Sequence, residues 1–388
     1  MLLILILNAG SSSLKFRLYE MPAEKLILKG LAGRIGERES YLNINGESVK
    51  TTIPDHGRAM ELIKEEISHR LPGFSEKLKA IGHRVVHGGD RFIRPTVITD
   101  EVKQKIKELF DLAPLHNPPN LTGIEAAEQY FRGVSQVAVF DTAFHRTIPE
   151  TEHRYAIPEN FYREGIRQYG FHGISHEYVG KQATERLGNT GAKIISLHLG
   201  NGASITAIDA GQSKATSMGF GPLPGLIMGT RSGDIDPSVI FYLVENQDYN
   251  IGDVKRILNK ESGLIALAGS NDMRDVEQDY ARGKPEAVLA MEMYARRIKK
   301  YIGAYYALLG GLDALAFTAG IGENSPLVRQ LASKGLDHLG IVLDLAKNIN
   351  PQAFQGEIQA ENAKVKIYVI PTNEELAIAR KTYTLLYE

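Results

Sequence analysis

The chain of 388 residues contains no cysteine. That excludes a disulfide framework, thiolate metal sites and a cysteine nucleophile, and it fits a reducing compartment, so a cytoplasmic protein is expected. An excess of one charge is also missing: 45 Lys+Arg stand against 46 Asp+Glu, a net charge of −1. Without a basic field, no nucleic-acid partner is expected. Long hydrophobic runs are lacking too. Residues 1–7 are apolar, but they have no basic lead-in and no small-residue cleavage site, and the run ends at Asn8, too short to span a bilayer. The apolar pattern over 287–309 is broken by Glu292, Arg296, Arg297, Lys299 and Lys300, so no membrane partner is expected. Neither G-x-x-x-x-G-K-[ST] nor G-x-G-x-x-G occurs. What is present, 43% hydrophobic and 23% charged residues, suits a globular protein. At ~150 residues per domain it has room for two or three domains. Its 38 glycines point to tight turns where backbone approaches a ligand.

Hydropathy patterning predicts strands at 2–7, 14–19, 41–44, 49–53, 80–86 and 136–140, and helices at 58–70, 101–112 and 121–131. The pattern then restarts with strands at 193–198 and 203–208, a helix at 285–309, strands at 313–318 and 365–370, and a helix at 374–387. Alternating strands and helices argue for an α/β class. A strand–glycine turn–strand unit occurs twice, near 5–19 and 194–208, with little identity between the copies. Two readings fit: unrelated hairpins, or a duplicated domain. No low-complexity linker separates the halves, and the loop-like stretch 142–169 is the expected boundary.

Three glycine-rich turns are read after apolar strands: 8–13 (Asn-Ala-Gly-Ser-Ser-Ser), 198–202 (His-Leu-Gly-Asn-Gly) and 319–324 (Ala-Gly-Ile-Gly-Glu-Asn). Glycine lets backbone N–H groups reach phosphate oxygens, so a nucleotide site is expected, against plain hairpin turns or a helix N-terminus. Cationic residues beside glycine recur at 83–89, 141–146, 170–173 and 229–234, suited to an anionic ligand. Most basic residues are solvated surface charges; Arg84, between an apolar strand and Gly88-Gly89, is the one favoured for function. His83/His87 and His172/His176 have i, i+4 spacing, but glycine and β-branched residues between them argue against helix and hence against zinc. Buried, hydrogen-bonded histidines are the plainer reading for His83, His87 and His176.

The motifs 8–15, 83–89, 113–119, 169–176, 198–202, 228–237, 320–324 and 371–374 resemble, in order and over essentially the whole chain, those of acetate kinases. This resemblance implies a duplicated actin-like (ribonuclease H-like) α/β fold of mixed sheets flanked by helices, with the active site in the interdomain cleft. Domains of 1–145 and 146–375 follow, the second also serving dimerisation, with a terminal helix 376–388 packing back on the first. A homodimer is implied, and the aromatic cluster Tyr301, Tyr305 and Tyr306 is a candidate interface. The implied reaction is reversible phosphoryl transfer from ATP to acetate, giving ADP and acetyl phosphate, with Mg²⁺, and Mn²⁺ as an alternative ion. Carried over by motif, Asn8 and Glu374 hold the metal. Lys15, His198, Leu199, Gly200, Asn201, Gly202, Asp272, Met273, Arg274, Gly320, Ile321, Gly322, Glu323 and Asn324 bind nucleotide. Arg84 and His116 take the carboxylate substrate. Val86, Leu115, Phe171 and Pro222 surround its methyl group, and Asp141, His172 and Arg231 are catalytic.

Acetate is ionised near pH 7, so its oxygen can attack without a general base. Asp141 is therefore expected to orient a metal-bound water or an arginine. Pro224 stands where many family members carry Glu, which stiffens the loop beneath Arg231. Propionate kinase is the near alternative. A non-catalytic actin-like ATP-binding protein would have no need of Arg84, His172 and Arg231. A sugar kinase would want Asp141 as base, and the apolar set speaks against a polyol.

Overall fold

The structure, a computed structural model, describes residues 2–388. The chain divides into two compact units, 1–143 with 373–388, and 144–372.

The first unit is built on a sheet of eight strands. β1 (Leu2–Gly10), β2 (Ser13–Met21), β3 (Lys25–Gly33), β4 (Tyr41–Ile44), β5 (Glu47–Lys50), β6 (Leu78–Val85), β7 (Thr96–Val97) and β8 (Ser135–Phe140) lie in the order β5-β4-β3-β2-β1-β6-β8-β7. β1 is central. Leu3, Leu5 and Leu7 join one core with the helix His56–Arg70, and all residues from Leu3 to Leu7 are at most 1% exposed, the mark of a strand covered on both faces. On another side Val85, Ala138 and Phe140 pack with helices Asp100–Glu108 and Asn117–Tyr130. The terminal helix Glu374–Tyr387 crosses at Gly82, where an added Cβ would lie 2.6 Å from Thr382 Oγ1. Only glycine leaves room for that approach.

The second unit holds five strands: β9 (Lys193–Leu199), β10 (Ala203–Asp209), β11 (Gln212–Thr216), β12 (Ala314–Thr318) and β13 (Lys366–Val369), in the order β11-β10-β9-β12-β13. The pairings β11/β10 and β10/β9 are antiparallel; β9/β12 and β12/β13 are parallel. Five strands of the first unit, β3-β2-β1-β6-β8, repeat this sequence of pairings. The duplication left open by the sequence is thus present in the strand order, with β4, β5 and β7 as edge additions to the first copy.

Several local expectations are corrected. Residues 8–13 are not all turn: β1 runs to Gly10 and β2 starts at Ser13, so only Ser11 and Ser12 turn. Residues 319–324 form a short helix directly after β12. Against the expectation of no helix around His172/His176, Gly173–Leu187 is a helix, entered from His172 in the left-handed region at φ 57°. The strand expected at 49–53 is Glu47–Lys50, the helix expected at 101–112 ends at Glu108, and the one expected at 121–131 starts at Asn117. Pro118 and Pro119 sit in that last helix's first turn, where the missing N–H groups cost nothing. Among the described residues, no helix is long and apolar enough to cross a membrane.

Candidate active site

In the first unit the expected site residues Arg84 and Asp141 lie at strand ends. The parallel register of β6 and β8 sets Val85 beside Phe140, and the Asp141 N–H donates to Val85 O at 3.0 Å. Arg84, one residue from the end of β6, then meets Asp141 just beyond β8. Its Nε and Nη2 donate to Asp141 Oδ1 and Oδ2 at 3.1 and 2.5 Å. Asp141 is 1% exposed, so this fork-to-fork pair is largely dry. Glu374 Oε2 lies 3.7 Å from Arg84 Nε. Burial works against the arginine's charge, but Asp141, Glu374 and Glu375 outweigh it and hold its pKa above the ordinary value. Among the described residues, Arg84 Nη1 has no protein acceptor.

Two buried asparagines that the sequence reading passed over set the surrounding loops. Asn120 accepts from the Val86 N–H at 3.0 Å and donates to Ala9 O at 2.7 Å. Asn117 accepts from the His87 N–H and donates to His87 O, both at 3.0 Å. Only their place in the Asn-Pro-Pro-Asn helix start hinted at this. Val86 is thereby fixed and buried, whereas Leu115 is 57% exposed and His116 flanks the helix N-terminus without capping it. Asn8 and Lys15 stand opposite each other on β1 and β2. Among the described residues, the Asn8 amide and the Glu374 carboxylate accept no hydrogen bond, which leaves two hard oxygen donors in this unit. No group of three His, Cys, Asp or Glu poised for a metal occurs among the described residues. A Mg²⁺ held by one or two protein oxygens, water and phosphates fits this donor set.

In the second unit His172 and Arg231 converge on Gly202. A Cβ added at Gly202 would lie 3.7 Å from His172 Nε2 and 3.8 Å from Arg231 Nη1. The His172 ring stacks on His198 with centroids 4.2 Å apart, and the two rings bond to Ser204 and Ser175 through Nδ1 at 2.9 and 2.8 Å. A non-glycine residue held in the left-handed region costs roughly 1–2 kcal/mol. Such strain collects where a side chain must be aimed. Arg231 Nη1 donates to Pro222 O at 3.1 Å, and burial lowers its pKa. Unlike Arg84, it has no carboxylate within ion-pair distance among the described residues, so its partly buried charge is not offset by one. The loop beneath it, which contains Pro224, is tied by Gly225 N–H to Asp234 at 2.7 Å and by Arg297 to Gly225 O at 2.7 Å.

Nearby, a cavity of about 650 Å³ is lined by Asn201, Asp272, Met273, Arg274, Gly320, Ile321 and Asn324, with Asn271, Glu277 and Ser325. It joins three separately expected nucleotide segments in one unit. Arg274 hydrogen bonds hold the Asp272 carboxyl at about 2. Glu323 turns away to accept from the Thr372 N–H at 3.2 Å. Arg329, fully buried, donates to Gly322 O and Glu323 O at 2.8 and 3.0 Å and pins the short helix from below. Phe171 is buried, its carbonyl accepting from His145 Nε2 at 2.9 Å. His83 and His87 have the plainer role: burial lowers each to about 4, and they bond to Gln136 and to the Gly89 N–H.

One unit holds an arginine paired with its own carboxylates, and the other an arginine without one, facing the same glycine as a histidine. Residues 3–380 match the model of the acetokinase family, to which the chain belongs. It is 49% identical over 391 residues to an acetate kinase of Halothermothrix orenii, covering 98% of each chain. Among solved structures it resembles Porphyromonas gingivalis acetate kinase at 41% identity, with a TM-score of 0.92 and all of both chains covered. A propionate kinase from Francisella tularensis subsp. tularensis SCHU S4 matches at 42% identity and a TM-score of 0.95, over 99% of this chain and 100% of that one. The fold is the duplicated actin-like α/β arrangement, and the activity class is phosphoryl transfer to a carboxylate.

Proposed function

We propose that this chain is an acetate kinase that moves the γ-phosphoryl group of ATP directly to acetate, reversibly. The observation that carries the proposal is the contrast between its two arginines. Arg84, already neutralised by Asp141 and Glu374, offers Nη1 hydrogens to position an incoming carboxylate. Arg231, without a carboxylate, suits the charge on the transferring phosphoryl group.

Both Asp141 oxygens are engaged by Arg84, which supports an orienting role over that of a base. Acetate needs none, being ionised near pH 7. His172 donates to a phosphoryl oxygen; His198, Asn201 and Gly202 hold phosphates; and the cavity of Asp272–Arg274 and Gly320–Asn324 receives the nucleoside. Lys15 meets phosphate oxygens. Asn8 and Glu374 would hold Mg²⁺, directly or through water, and that ion, when bound, offsets phosphate charge. Val86 crowds the second carbon of a longer acid, with Leu115, His116, Phe171 and Pro222 as the remaining acceptor-side groups. The protein acts as a cytoplasmic homodimer.

Hydroxylamine trapping of the acyl phosphate with ATP, Mg²⁺ and acetate, propionate or butyrate tests this reading. Acetate is preferred over propionate by roughly tenfold to two-hundredfold, the worth of one methylene in an apolar pocket. Val86→Ala narrows the ratio by lowering the KM for propionate. A wild type that prefers propionate replaces the reading with propionate kinase, and one that forms no acyl phosphate ends it.

A further inference from the structure

Behind His172 runs a hydrogen-bond chain that the transfer reaction does not itself use. His172 Nδ1 lies 2.9 Å from Ser204 Oγ. The same hydroxyl lies 2.7 Å from Nε2 of His176, whose Nδ1 is 3.0 Å from Ser196 Oγ. Ser196, His176 and Ser204 are each 0% exposed. Strands β9 and β10 supply the serines, and the first turn of the helix Gly173–Leu187 supplies His176.

Counting hydrogens gives this chain a direction. A serine hydroxyl carries one hydrogen, and a neutral imidazole carries one N–H. In one arrangement Ser196 donates to His176 Nδ1, His176 Nε2–H donates to Ser204, and Ser204 donates to His172 Nδ1; every hydrogen from Ser196 to Ser204 then has an acceptor, and the remaining Nε2–H belongs to His172, which is not fully buried. In the reverse arrangement His172 Nδ1–H donates to Ser204, Ser204 to His176, and His176 to Ser196. The Ser196 hydroxyl then needs a further acceptor. Its one side-chain hydrogen-bond partner among the described residues is His176, so a buried hydrogen is left unsatisfied.

We infer that Ser196, His176 and Ser204 hold His172 as a neutral imidazole with its proton on Nε2, the nitrogen that faces Gly202. This rests on the proposed role of His172 only for its catalytic consequence. Burial, with His145 and His198 adding to it, keeps the His176 pKa well below the ordinary value, so the middle of the chain stays uncharged. Around His172 the charged and titratable groups include Arg231, which like His172 faces Gly202, stacked His198, and His176 through Ser204. The Arg231 guanidinium disfavours a second positive charge at the same glycine. His172 thus meets a phosphoryl oxygen as a pre-aimed N–H donor, while Arg231 carries the charge. Ser204, His176 and Ser196 are positioning residues.

The test is a long-range ¹H–¹⁵N spectrum of [¹⁵N]histidine-labelled enzyme at pH 7.5, with His172 assigned by its loss in His172→Gln. Wild type is expected to give the neutral Nε2–H pattern. Ser204→Ala and Ser196→Ala are expected to move it toward a tautomer mixture. For Ser204→Ala, kcat falls roughly tenfold with both KM values nearly unchanged, the scale on which groups behind a functional imidazole act. An Nδ1–H or doubly protonated His172 in wild type overturns the inference. So does an Nε2–H pattern that neither serine variant alters. If Ser204→Ala fails to fold, the wild-type and Ser196→Ala spectra still decide. Should the tautomer shift while kcat does not, the relay stands and the catalytic role of His172 falls.

Discussion

Gly202 is where the smallest change separates fold from chemistry. Its backbone lies outside the left-handed region, and a Cβ there meets His172 and Arg231 at ordinary contact distance. Alanine is therefore sterically acceptable there, and Gly202→Ala should shift the melting temperature by only a few degrees, a cost below about 1 kcal/mol. If phosphate oxygens sit here as proposed, the added methyl group takes their space, and kcat/KM for ATP should fall on the order of a hundredfold. Thermal melts and steady-state kinetics check the pair of outcomes; unchanged kinetics would remove the phosphoryl group from this spot. His172 and Arg231 were legible as candidates because each stands beside glycine in a family motif. The partners that set them were not. Ser204 and Ser196 act through contacts between residues far apart in sequence, and a buried serine on a strand looks like any other; His176 was readable as a buried, hydrogen-bonded histidine but not as a link to His172. Arg84 with Asp141 is a similar case: 57 residues separate them, and only the β6/β8 register makes them one unit.

Among the elements, the helix Pro237–Asn246 stands out for what it does not bury. Its sequence is apolar nearly all round, yet none of its residues is buried, and Phe241 and Tyr242 are 60% and 55% exposed. A helix of that composition normally sits inside a core or an interface. By contrast, Tyr305 is buried within its own unit and Tyr301 donates to Asp234 at 2.7 Å, so these two members of the tyrosine cluster have partners within the chain. Phe241→Glu should convert the proposed dimer to monomer in light scattering at micromolar concentration. A wild-type monomer would contradict the proposal, and a dimeric variant would contradict this face. Strong periodicity made the β1/β2 hairpin and the helix Pro285–Leu309 readable. β3 was missed because Gly30 and Gly33 interrupt it, and an added Cβ at Gly30 would collide with Phe16. The helix Gly173–Leu187 was missed because a left-handed histidine, not a capping side chain, starts it.

At the scale of the molecule, both units bury neutral histidines. Burial lowers His83, His87 and His145 to about 4. In the unfolded chain they titrate near 6.5, so between these values the unfolded state binds more protons and stability rises with pH. The contribution is complete above about 6.5 and is lost as pH falls toward about 4, by on the order of 1 kcal/mol per histidine per pH unit. Urea midpoints should therefore drop steeply from pH 7 to pH 5; a flat profile would contradict neutral burial.

The proposed function assigns each unit its own anion-handling arginine, Arg84 in one and Arg231 in the other. Its most direct test is trapped acyl phosphate formation from ATP and acetate by wild type, Arg84→Ala and Arg231→Ala, each checked for folding. Each variant should lose about 2–4 kcal/mol of transition-state stabilisation, roughly thirtyfold to a thousandfold in kcat/KM. For Arg84→Ala the loss should include a raised KM for acetate, and for Arg231→Ala it should fall mainly on kcat. A folded variant of either kind that keeps wild-type kcat/KM would contradict the account.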